Sequence, residues 1–306
     1  MDVVSDAIST VRTGRPSSNR VRVSGGWATR LDPYEGAGFH VVLEGACLLF
    51  PEGGEPVRLG TGDAVLLPHG TGHLLADVRA DAASLERAVP FEDWRPDGPA
   101  HHPASEAGAV ELLCGKYRLD RSRAHPLMRE LPTVAHLPNR VGRHPELRSA
   151  IDLLGGELGG LRPGAGIAVP SLLDLLFVYM IRSWMAEDGT GVWSAVLGDP
   201  VTATALRALH ADPAAPWTNE SLAAEVGVSR PTLARRFTAL VGRPPMAYLT
   251  WWRLTAAAAL LRDTPDPLAA IARRVGYGTP YAFSHAFNRE FGTTPGRYRE
   301  HGAAPA

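Results

Sequence analysis

Over much of residues 21–89, apolar and polar positions alternate with the two-residue period of a half-buried strand. Residues 21–31 (VRVSGGWATRL), 38–50 (GFHVVLEGACLLF), 55–67 (EPVRLGTGDAVLL) and 73–78 (HLLADV) read as strands between Gly and Pro turns. An irregular loop at 91–108 interrupts, and 109–119 (AVELLCGKYRL) reads as a further buried strand. Many short strands with regular turns predict a small β-barrel or sandwich. Residues 1–20, with breakers gathered in TGRPSSNR, read as a flexible lead-in. After the strands the period changes. In 144–160 Leu147, Ile151 and Leu154 recur at helical spacing, and 169–186 (VPSLLDLLFVYMIRSWMA) predicts a second helix, apolar on most sides. Such a helix must be covered from more than one direction, by its own protomer or by a dimer partner. Residues 188–197 read as a linker.

From there one pattern is written twice. Residues 222–249 read LAAEVGVSRPTLARRFTALVGRPPMAYL, and residues 271–299 read IARRVGYGTPYAFSHAFNREFGTTPGRYR. With Phe237 placed over Phe287, Gly242 matches Gly292, Pro245 matches Pro295 and Tyr248 matches Tyr298. Each copy predicts a short helix, a glycine turn at Gly227 or Gly276, and a second helix with a polar outer face. Thr218, Ser229 and Thr279 stand where N-caps belong, and Pro231 and Pro280 fit the first helical turn. Leu233, Phe237 and Leu240 must pack inward in the first copy, as must Ala282, Phe283, Ala286, Phe287 and Phe291 in the second. That leaves Arg230, Pro231, Ala234, Arg235 and Thr238 outward in one, and Tyr281, Ser284, His285, Asn288 and Arg289 in the other. Residues 246–262 (MAYLTWWRLTAAAALLR) predict a stiff connecting helix. Two helix-turn-helix units so joined predict a pair of reading heads for successive major grooves of one duplex.

Charge supports a polyanionic partner. The 306-residue chain is nearly neutral, at −1, but residues 198–301 hold twelve arginines against eight acids, and the remainder is correspondingly acidic. Lys116 is the one lysine in the sequence. No apolar run reaches membrane-spanning length, and the N-terminus lacks the apolar core of an export signal. Cys47 and Cys114 alone argue against a disulfide scaffold and fit a reducing cytoplasm.

The residues of the second copy match the signature of AraC/XylS-type transcriptional regulators nearly throughout, and the last hundred residues resemble that family's DNA-binding domain. The resemblance implies base-facing positions at Pro231, Ala234 and Arg235 in the first head and at Pro280, Tyr281, Ser284 and His285 in the second. Arg230 and Arg289 extend that surface, while Ser229, Arg236, Arg274 and Thr279 fall where phosphates would be held. Because Pro231, Ala234 and Pro280 are small or apolar, direct readout concentrates on Arg235 and His285. The front half adds a second resemblance. Residues 62–73 (GDAVLLPHGTGH) are similar to the second motif of cupin barrels, and VLEG at 42–45 to the end of the first. The expected upstream His-x-His pair is missing, with Asp32 and Tyr34 near those positions.

The fold class that follows is α+β multidomain: a cupin-like sensor over 21–135, a helical coupling or dimerisation region over 136–187, and an all-α double helix-turn-helix domain over 198–301. Implied partners are double-stranded promoter DNA, a small-molecule effector, RNA polymerase and a second copy of the chain, with no membrane and no cofactor. His40 and His73 are the polar candidates for an effector pocket. Residues 111–120 (ELLCGKYRLD), with 125–138 (HPLMRELPTVAHLP) after them, also resemble a subgroup of cupin-type AraC regulators that includes a redox-sensing member, which makes Cys114, with or without Cys47, a candidate for oxidation. The paired histidines at 101 and 102 read as loop residues. The alternative function is a metal-dependent cupin enzyme with an appended DNA-binding module, which needs three or four converging ligands rather than His73 alone.

Overall fold

The computed structural model describes residues 3–94, 109–119, 126–160, 162–187 and 191–302. His101 and His102 lie outside them. The chain divides into two compact units: residues 12–122 with 131–188, and residues 1–11 with 123–130 and 189–306.

In chain order the elements begin with α1 (Val3–Val11), β1 (Arg12–Val23), β2 (Ala28–Leu31), β3 (Gly36–Glu44) and β4 (Ala46–Pro51). They continue with β5 (Val57–Gly60), β6 (Ala64–Leu67), β7 (His73–Asp77), α2 (Ala82–Glu86), β8 (Val89–Pro90) and β9 (Val110–Leu119). Next come α3 (Pro126–Glu130), β10 (Ala135–Leu137), α4 (Pro145–Leu158) and α5 (Ala165–Glu187). The remainder is helical: α6 (Val192–Gly198), α7 (Pro200–Ala211), α8 (Asn219–Glu225), α9 (Arg230–Val241), α10 (Pro245–Asp263), α11 (Leu268–Arg274), α12 (Pro280–Phe291) and α13 (Pro295–Gly302).

The first unit is built on two five-stranded sheets, ordered β1-β9-β3-β6-β10 and β5-β4-β7-β2-β8. Every pairing is antiparallel except β2 with β8. Between them lies a core of Val23, Val42, Val65, Val110, Leu112, Leu49, Leu59 and Leu75. The middle of β3 is buried on both faces rather than alternately. The outer face of the first sheet is covered by α4 and α5, where Tyr117 of β9 lies tilted at 4.5 Å from Phe177 and donates its hydroxyl proton to the Leu173 carbonyl. Helix α5 is long and apolar enough to cross a membrane by length and composition. Here Leu173, Leu176, Phe177, Met180 and Ile181 are buried within this unit. The region expected to be a separate coupling segment thus supplies the outer layer of the barrel unit.

Two further expectations need correction. Within the lead-in expected over 1–20, the described residues are regular rather than irregular: Val3–Val11 form α1, and β1 begins at Arg12. A register shift between Thr13 and Ser17 absorbs Gly14 and Pro16, so the proline needs no ladder donor and the strand resumes beyond it. The expected linker over 188–197 contains most of α6, with Trp193 and Val196 buried.

The second unit gathers α6 to α13 with α1 and α3. Here α1 packs on α7 and α10. Asp6 is buried on α1 and accepts from His210 Nδ1 at 2.8 Å, while His210 Nε2 lies 2.7 Å from the Tyr248 hydroxyl. Trp252 stacks on the same imidazole at 4.0 Å, so the buried polar chain is enclosed by aromatic rings. Helix α10 buries ten residues, Trp251, Trp252 and Leu254 among them, and forms the spine of this unit.

Candidate nucleic-acid interface and sensor cavity

The two helix-turn-helix units are built alike. Thr218 caps α8 in a reciprocal box with Ser221, Ser229 caps α9 through the Thr232 amide, and Thr279 caps α12 through the Ala282 amide at 3.1 Å. Gly227 and Gly276 take φ of +70° and +83° between the two helices of each head, conformations that a side chain would strain. Leu233 and Phe237 anchor α9, and Phe283 and Phe287 anchor α12, all four fully buried. Ala282, expected inward, is exposed, because the apolar stripe of α12 is carried by Phe283, Ala286 and Phe287 one position on.

Anchoring these faces turns the others outward. Arg230, Pro231, Arg235 and Arg236 are exposed on α9, with Ala234 half-buried between them. Pro280, Tyr281, His285 and Arg289 are exposed on α12, Tyr281 at 82%, and Ser284 is half-buried. The cations differ in how free they are. Arg230 pairs with Glu220 at 3.0 Å, Arg236 with Asp199 at 3.6 Å and Arg274 with Asp266 at 3.9 Å. Among the described residues Arg235 makes no ion pair, so its fork is available. Ser229 and Thr279 are exposed at the starts of α9 and α12, where backbone amides and the helix dipole favour a phosphate.

The barrel unit holds a cavity of about 740 Å³ at one end of the space between its sheets. The inward positions of three neighbouring strands change character at the same level. On β9, Val110 and Leu112 give way to Cys114 and Lys116; on β3, Val42 gives way to His40 and Gly38; on β1, Val23 and Val21 give way to Asn19 and Ser17. Across from them stand His73, Tyr34, Phe91 and Trp94. The Tyr34 hydroxyl lies over Gly38, buried, with no hydrogen-bond partner among the described residues.

His40, His73 and Cys114 meet as a chain. His73 Nδ1 is 2.9 Å from the Thr71 carbonyl, which only accepts, so that nitrogen carries the proton. His73 Nε2 therefore accepts from His40 Nε2–H at 2.7 Å, and His40 Nδ1 accepts from the Cys114 thiol at 3.1 Å. Burial holds His40 well below its ordinary range, with the neighbouring His73 adding to the effect; burial also lowers His73, against the raising bond to Thr71. Burial pushes the Cys114 thiol up and the Cys47 thiol up to about 12, so both stay protonated near neutrality. Both cysteines belong to the apolar core, and Cys114 also lines the cavity. Among the described residues no three His, Cys, Asp or Glu side chains converge to hold an ion. Two imidazoles whose nitrogens are committed to one another do not fit the ligand set of a cupin metal.

This chain of neutral groups has a pH signature. The unfolded protein takes up protons at both histidines below about pH 6.5, and the folded barrel resists them, so stability is full above that value and falls as pH drops through it. The melting temperature of the wild type should decline between pH 7.5 and 5.5, and His40→Gln should flatten that decline. An unchanged slope in the variant would show that His40 is not held neutral.

A cupin family model matches residues 2–186, and a helix-turn-helix domain model matches residues 222–301. An AraC-like transcription regulator of Streptomyces antibioticus is 35% identical over 98% of this chain and 99% of its own. The RCS-specific transcriptional activator RclR of Escherichia coli is 30% identical over 86% of this chain and 84% of its own. The solved DNA-binding domain of AdpA in complex with a target DNA aligns at 32% identity over 34% of this chain and 93% of its own, with a TM-score of 0.33. A sheet-rich cupin domain and helix-turn-helix units together define a sequence-specific DNA-binding regulator of transcription. The chain belongs to the AraC-like transcriptional regulators that carry a cupin domain ahead of the helix-turn-helix domain.

Proposed function

We propose that this regulator binds promoter DNA in the cytoplasm through both heads at once, and that the barrel cavity tunes that binding. The observation that carries the reading is the matched capping and anchoring of α9 and α12, which leaves Arg235, Tyr281, His285 and Arg289 facing solvent. Arg235 and His285 read base edges, Ser229 and Thr279 hold phosphates, and Arg236 and Arg274 exchange their acidic partners for phosphates on binding. The apolar side chains exposed on α4 and α5 (Leu153 at 58% and Ile167 at 80%) suit pairing with a second copy. Recruitment of RNA polymerase is the expected output.

The cavity supports two kinds of signal. A small effector would find the Lys116 ammonium, the unpartnered Tyr34 hydroxyl and the aromatic edges of Phe91 and Trp94. An oxidant would find Cys114. A hydroperoxide transferring its outer oxygen to the sulfur gives a sulfenic acid and the corresponding alcohol, the thiol proton passing by way of His40 to the departing alkoxide. An RCS-specific relative is consistent with this second signal.

Duplexes selected from a random library by the wild type, then measured with and without hydroperoxide, test both levels. Enrichment of a motif with two half-sites is the expected result; recovery of unrelated sequences would refute the paired-head reading. Peroxide should shift the affinity of the wild type and leave Cys114→Ser unmoved. An equal shift in both would remove Cys114 from the pathway.

A further inference from the structure

One side chain in the DNA-binding unit lies between the loop that enters the first head and the turn of the second. Arg253 projects from the middle of α10. Its Nε–H donates to the Pro213 carbonyl at 2.6 Å and its Nη2–H to the Ala215 carbonyl at 2.8 Å. Those carbonyls belong to the loop that runs from α7 into Thr218, the cap of the first head. The loop has its own internal order: the Asp212 carboxylate accepts from the amides of Ala214 and Ala215, and the Asp212 carbonyl accepts from the Trp217 indole N–H at 2.9 Å.

The other side of the same guanidinium meets the second head. A methyl group added at Gly276, the left-handed turn between α11 and α12, would stand 2.9 Å from Arg253 Cζ and 2.9 Å from Ala214 Cα. Gly276 therefore rests directly on the loop of the first head and on the arginine beneath it. Tyr277 follows in sequence, with its hydroxyl raised by burial and partly offset by the charge of Arg253. The guanidinium is itself partly desolvated, which strengthens its two hydrogen bonds and raises the cost of losing either acceptor.

We propose that Arg253 is a positioning residue that sets the spacing at which the two heads engage DNA. This rests on the paired-head reading. A rigid link converts the second head's binding into an intramolecular step, and its advantage is greatest when the span matches the site. Loosening the link lowers affinity for a two-half-site duplex and widens the range of spacings tolerated, without touching either reading surface. Lysine in place of Arg253 offers a point charge instead of a fork and cannot hold both carbonyls in one geometry.

The probe is the duplex selected by the wild type, together with versions carrying one or two base pairs inserted or deleted between the half-sites, and a version with one half-site scrambled. For Arg253→Met the expected result is about a tenfold loss on the intact duplex, less than twofold change on the scrambled one, and a flattened spacing profile. Equal losses on intact and scrambled duplexes would reduce Arg253 to a structural residue of one head, and an unchanged spacing profile would overturn the proposal outright. Should Arg253→Met fail to fold, Arg253→Lys takes its place, and a profile as sharp as that of the wild type would be equally fatal. If the wild type itself shows no spacing preference, the paired-head reading fails before the role of Arg253 arises.

Discussion

Phe287→Ala should unfold the second head and leave a protein that grips DNA with one. Phe287 is fully buried, and its ring lies 5.5 Å from Phe283, 4.5 Å from Phe291 and 5.3 Å from Tyr298. It also packs among Leu254, Leu261, Ile271 and Val275, so its removal leaves a void lined by several elements that cannot all collapse into it. Truncating a buried phenylalanine costs about 3–5 kcal/mol, against a total of about 5–15 kcal/mol for a domain. Limited proteolysis should then cut within residues 268–302, where the wild type resists, and affinity for a two-half-site duplex should fall to that for one half-site. A variant that melts with the wild type and keeps its protease resistance would show that this cluster is not what holds α12 in place.

Arg235→Ala should act on recognition and leave folding alone. Arg235 is exposed on α9 and, among the described residues, has no ion pair to lose, so stability should change by less than about 0.5 kcal/mol. A bidentate arginine–guanine contact is worth about 1–3 kcal/mol, or roughly 5- to 150-fold in affinity for the selected duplex. On random duplex the loss should be small, since phosphate contacts elsewhere supply that binding. Arg235→Lys should not restore discrimination, because an ammonium lacks the planar fork. Equal losses on selected and random DNA would move Arg235 from base reader to phosphate contact.

Why the heads are legible in the sequence and other features are not comes down to distance along the chain. A cap, a left-handed glycine and an i, i+4, i+7 apolar stripe act within a dozen residues. Thr218, Ser229, Gly227, Phe237 and their counterparts therefore announce their roles through near neighbours alone. The exception is Ala282, where a stripe set by aromatic rings leaves the first-turn alanine outside. The strands of the barrel are equally visible from their period, and His40 and His73 from their place near the cupin motifs.

Long-range partners leave no such mark. His40 and Cys114 are 74 residues apart and His210 and Asp6 are 204 apart, so neither chain of hydrogen bonds has a local signal. Lys116 and Trp94 become cavity residues only once β9 and the segment after β8 reach the same end of the barrel. Local cues also mislead at the N-terminus. Gly14, Pro16 and two serines read as breakers, yet pairing with β9 makes that stretch a strand, with the proline set in a register shift. Helix α6 escapes the pattern because its seven residues, the last a glycine, are too few to display a period. Arg253 reads in the sequence as one more cation on a helix; its role depends on two carbonyls about 40 residues away and a glycine in the other head.

Two heads held by one helix should read successive major grooves from the same side of the duplex. Hydroxyl-radical footprinting of the full-length protein on its selected duplex addresses it directly. Two clusters of protected sugars on one face, centred about one helical turn (~10 base pairs) apart, are the predicted result. A single cluster, or two clusters on opposite faces, would contradict it.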